Sequence, residues 1–72
     1  MKTEFKRSLT IQGHRTSLSL EPEFWDALKQ AASAEHKSLA ALVGEIDAAR
    51  AGRNLSSAIR VWVLARVTHS LV

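Results

Sequence analysis

The 72-residue chain has no cysteine, no tyrosine and a single proline. Without cysteine, disulfides and thiolate metal sites are excluded. His14, His36 and His69 stand too far apart for ligand spacing, so neither metal nor cofactor is expected. No run approaches the roughly 18 apolar residues of a membrane span, and no membrane partner is expected. The opening MKTEFKR lacks the apolar centre of a secretory signal, which makes the bacterial cytoplasm the expected compartment. There is no phosphate-cradling glycine loop. Glu45 and Asp47 do not share a helical face, so they make a poor general acid–base pair. No nucleophile has a base at a suitable spacing, and the chain is not expected to be an enzyme.

What is present is apolar content and unevenly placed charge. Hydrophobic residues make up 46% of the chain, yet a core this small contributes only about 3–5 kcal/mol of stability. Oligomerisation is the remaining way to bury such surface. Residues 1–15 hold Lys2, Lys6, Arg7 and Arg15 against Glu4, a net +3. Residues 21–47 hold six acids against Lys29 and Lys37, a net −4. Residues 48–72 hold Arg50, Arg53, Arg60 and Arg66 and no acid, a net +4. A sequence pI near 10.0 with a basic N-terminal end is the footprint of a nucleic-acid binder.

The spacing predicts one domain that is mainly α with one short N-terminal β-strand. Residues 1–8 read as a basic arm, and 9–20 as a ribbon strand. Apolar residues fall on odd positions at Phe5, Leu9 and Ile11, but on even positions at Leu18 and Leu20, with Gln12-Gly13-His14 between them. A change of phase needs a turn or a bulge. Either 5–11 folds back as a hairpin partner of 15–20, or a bulge lets one strand continue, and the bulged strand is preferred. That strand has no obvious partner later in the chain and is an unstable edge alone, so a second copy is the expected partner.

Three helices follow, over about 22–36, 38–51 and 54–70. Pro22 suits a first helical position, Ser38 and Asn54 suit caps, and Gly52 suits a terminator. The run Ile59–Val63 could also be a strand, but the helix is preferred. The expected core, shared across a dimer, is Leu18, Leu20, Phe24, Trp25, Leu28, Leu39, Leu42, Val43, Ile46, Ile59, Trp62 and Val63. Val61 and Leu64 fall on the far side of the third helix, which is therefore apolar on more than one face.

The blocks KRSLTIQGHRTSLSLEPEFWDALK (6–29), SLAALVGEID (38–47) and NLSSAIRVWVL (54–64) resemble the ribbon-helix-helix DNA-binding proteins. More closely, they resemble the short bacterial members with an added C-terminal helix. The resemblance implies a homodimer whose ribbon lies in the major groove of duplex DNA. It implies base reading by Arg15, Ser17 and Ser19. It implies a phosphate clamp at Ser38 and the Leu39 amide with Lys37 beside it, and further backbone contacts from Lys2, Lys6 and Arg7. The expected function is that of a small dimeric transcriptional regulator. The alternative is a protein-interaction module, antitoxin-like or adaptor, that holds a partner protein through the third helix.

Overall fold

The computed structural model describes residues 5–70. Two strands, β1 (Phe5–Ile11) and β2 (His14–Leu20), pair antiparallel and are followed by α1 (Pro22–Ala34), α2 (Leu39–Ala49) and α3 (Leu55–Ser70). The architecture is a ribbon followed by helices, mainly α. The ribbon corrects the sequence reading in one respect. It is a hairpin within the chain, and the continuous bulged strand over 9–20 does not form. Residues 5–8, expected in the arm, belong to β1, while residues 1–4 lie outside the described residues.

Gln12 and Gly13 make the connection, with φ of 51° and 81°. Positive φ at both central residues is the type I′ geometry, whose twist matches that of the flanking strands. A two-residue loop pairs Ile11 with His14, and the register continues through Leu9–Thr16, Arg7–Leu18 and Phe5–Leu20. Odd positions of β1 therefore share a face with even positions of β2. The phase change in the sequence is a necessary consequence of the two-residue turn.

The helices form for local reasons. Pro22 sits in the first turn of α1, and the Glu21 carbonyl accepts from the amides of Phe24 (3.0 Å) and Trp25 (3.1 Å). The helix ends in a Schellman arrangement. The Lys37 amide donates to the Ala32 carbonyl at 2.9 Å and the His36 amide to that of Ser33 at 3.1 Å. His36 occupies the left-handed position, φ 57°, where glycine is easier. Ser38 caps α2 by accepting from the Ala41 amide at 3.0 Å, and Asn54 caps α3 by accepting from that of Ser57 at 3.2 Å.

The inner face of the hairpin closes over the three helices. Ile11, Leu18 and Leu20 join Trp25, Leu28, Ala31 and Ala32 of α1, Leu42, Val43 and Ile46 of α2, and Ala58, Ile59 and Val63 of α3. At Gly44 a Cβ would stand 3.4 Å from the Ile11 side chain, so the small residue lets the turn end of the hairpin settle on α2. Phe24, Leu39 and Trp62, expected in the core, are only half-buried against it. Trp25 is 2% exposed and does two jobs. Its ring fills the centre, and its Nε1–H donates to the Phe5 carbonyl at 3.0 Å, which ties β1 to α1. Among the described residues no helix is long and apolar enough to cross a membrane.

A buried tryptophan replaced by alanine costs about 3–5 kcal/mol, comparable with the whole stability of a domain this small. Trp25→Ala is expected to lose that much in a denaturant titration, and the half-buried Trp62→Ala clearly less. Equal losses would remove Trp25 from the centre of the core.

Candidate nucleic-acid interface

The hairpin register collects six polar side chains on the face turned away from the helices. Lys6 stands opposite Ser19, Ser8 opposite Ser17, and Thr10 opposite Arg15. All are exposed except Ser19, which is half-buried. The face has two cations and no acid. Among the described residues neither Lys6 nor Arg15 has a side-chain ion pair. Thr10, opposite Arg15, is four positions along β1 from Lys6, so the cations lie about 13 Å apart along the ribbon at ~3.3 Å per residue. Between them runs a row of hydroxyls, each able to donate or accept.

Arg15, Ser17 and Ser19, the expected readers, therefore lie on one face. Ser8 and Thr10 join them, two residues that the sequence reading left out. The signal was available: the phase change across Gln12-Gly13 requires the even residues of β1 to share a face with the odd residues of β2. Lys6 and Arg7 part company. Lys6 is on the outer face, whereas Arg7 lies on the inner side with its guanidinium 5.3 Å from the Trp25 ring centre. Lys2 lies outside the described residues.

The start of α2 is more crowded with charge than the sequence suggests. The Ser38 hydroxyl is committed to the Ala41 amide, which leaves those of Leu39 and Ala40 as the helix's own unmatched donors. Lys37 Nζ is 2.7 Å from a Glu45 oxygen and 3.2 Å from Glu35 Oε1. Glu35 also takes Arg66 of α3 at 2.7 Å. A phosphate at this helix start would compete with two carboxylates for Lys37. At the other end of α1, Glu21 holds Arg60 at 3.0 Å. The two arginine pairs join residues 39 and 31 apart in sequence, and helical spacing alone does not reveal them. Among the described residues no three metal-ligating side chains gather.

The family model of the ribbon-helix-helix domain matches residues 5–67, which takes in the hairpin and nearly all of α3. No curated protein and no solved structure matches the chain.

The ion pairs make a pH prediction. The Glu21 carboxyl is held below its ordinary value of 4.5 by a backbone amide and then by Arg60. Glu35 is held below the same value by its hydrogen bond to Lys37, then by the charges of Lys37 and Arg66. Lys37 is raised above 10.5 by Glu45 and then Glu35. A carboxylate with a lowered folded value stabilises the fold above its unfolded value, and that contribution disappears as pH falls through the folded one. The raised lysine contributes below 10.5 and loses its effect as pH climbs past its folded value. Thermal melts from neutral pH to well below 4.5 should therefore show a shallower acid decline in Glu21→Gln/Glu35→Gln than in the parent. Parallel declines would show that these pairs do not anchor α3.

Proposed function

The chain belongs to the ribbon-helix-helix domain family, generally one of DNA-binding transcription regulators, and we propose from that premise that its hairpin reads duplex DNA. The observation that supports this most is the outer face of the ribbon. Its six side chains are all hydrogen-bonding groups, two of them cations without an ion pair among the described residues. Strands lie about 4.8 Å apart, so a two-stranded ribbon with its side chains suits a major groove about 12 Å wide. Arg15 can address the O6 and N7 of guanine together, and Ser17 and Ser19 can bond several base edges. Ser8 and Thr10 add readers from the second strand.

Lys6, at the open end of the same face, reaches for a flanking phosphate, with Lys2 and Arg7 as further cations near the N-terminus. The helix start at Ser38 and Leu39 offers a second phosphate contact through backbone N–H groups and the helix dipole. Lys37 helps there only by releasing Glu35 and Glu45. The protein works as a homodimer on DNA in the bacterial cytoplasm, as a regulator and not a catalyst. One observation favours the second reading, a protein-interaction module: Val61, Leu64 and Val67 of α3 are exposed.

Titrations of labelled duplexes at several salt concentrations test the proposal. Lys6→Ala should weaken binding on all sequences alike and reduce the salt slope by about 0.9 for each phosphate that is no longer neutralised. Arg15→Ala should cost about 1–3 kcal/mol on the preferred site and little on random duplex. Unchanged discrimination in Arg15→Ala would exclude the ribbon as the reading surface. No binding by the parent at low salt would favour the interaction module.

A further inference from the structure

We propose that Glu45, supported by Glu35, restrains Lys37 and so limits how tightly the start of α2 holds a DNA phosphate, an inference that rests on the DNA reading above. Lys37 Nζ meets both oxygens of the Glu45 carboxylate, one at 2.7 Å and the other at 2.8 Å. It also stands 3.2 Å from Glu35 Oε1. Lys37 directly precedes the Ser38 cap, so its ammonium is the side-chain cation that adjoins the unmatched amides of Leu39 and Ala40.

Glu35, Lys37, Glu45 and Arg66 gather here, two acids and two bases whose formal charges cancel. What the helix start then offers an anion is its backbone N–H groups and its dipole. A phosphate that approaches those groups also nears two carboxylates, which repel it. The two acids are not equivalent. Glu35 is shared with Arg66 at 2.7 Å. Glu45 has no partner except Lys37 among the described residues. Glu45 also does more than Glu35 to hold the Lys37 ammonium above its ordinary value of 10.5. The restraint therefore falls chiefly on Glu45.

Glu45 is also close to the DNA-facing surface. It lines one groove with Thr10 and Gln12, at the turn end of the ribbon. Thr10 belongs to the outer face, opposite Arg15. That face has no acid of its own, so Glu45 brings negative charge to its margin. An exposed pair of this kind adds little to folding, because water screens it. Its consequence is for the phosphate, which must compete with Glu45 for the lysine.

Binding of a labelled random-sequence duplex by the full chain, titrated at several salt concentrations, tests the proposal. Four proteins are compared: the parent, Glu45→Gln, Lys37→Ala and the double variant. Glu45→Gln should bind about threefold tighter than the parent, within what one exposed pair can withhold. Its salt slope should steepen by about 0.9 for each phosphate that Lys37 newly neutralises. In the Lys37→Ala background the same change should gain clearly less and leave the slope as it was. Glu45 is exposed, so Glu45→Gln should keep the parent's far-ultraviolet circular dichroism. Glu45→Ala is read in the same way if Glu45→Gln does not fold. Equal gains with and without Lys37 would make Glu45 a general repulsive charge and overturn the proposal. A parent that binds duplex while Glu45→Gln binds no tighter overturns it alone. A parent that binds no duplex at low salt removes the DNA reading, and this inference with it.

Discussion

Everything about the ribbon depends on the length of its turn. With two residues in the loop, Ile11 must pair with His14, and every later pair follows. One shift of register would exchange the faces of a strand and set Leu18 and Leu20 in water. The same constraint that buries the apolar side chains also assembles the polar ones. Lys6, Ser8, Thr10, Arg15, Ser17 and Ser19 share a face because their neighbours share the core.

The helices then fix the ribbon in place. Trp25 is the joint between α1 and β1, through its buried ring and its bond to the Phe5 carbonyl. The two ends of α1 grip α3 through the Glu21–Arg60 and Glu35–Arg66 pairs. Exposed ion pairs contribute little each, because water screens them and ordering two long side chains costs entropy. Their effect here is as much on surface charge as on stability. They match the arginines of α3 and leave the outer face of the ribbon as a basic surface with no acid of its own.

The fold class is legible in the sequence because its signals are local: alternation before Glu21, then helical stripes divided by Ser38 and Asn54. The hairpin, one of the two readings that the phase change allows, ranks second to the bulged strand for an instructive reason. Gln12-Gly13 is not one of the strongest type I′ pairs, and a bulge can also change the phase. Odd-to-even alternation across two residues carried the answer nonetheless. Ser8 and Thr10 drop out of the site as soon as β1 is read as part arm. Trp25 and Trp62 look equivalent on their helical stripes, yet only Trp25 is enclosed, because burial depends on how α3 crosses the others. The Lys37 pair with Glu45 likewise joins different elements, and the left-handed turn at His36 brings that lysine to Glu35 as well.

The hairpin brings a two-stranded, basic, hydroxyl-rich ribbon from one chain, and α3 leaves Val61, Leu64 and Val67 exposed on a different face. The central claim is that the outer face of the ribbon meets DNA. Backbone amide chemical shifts of the isotope-labelled chain, followed as duplex is added at low salt, test it most directly. The largest changes should fall at Lys6, Ser8, Thr10, Arg15, Ser17 and Ser19, with the α3 stripe little affected. Changes centred on Val61, Leu64 and Val67, or none anywhere, would contradict it.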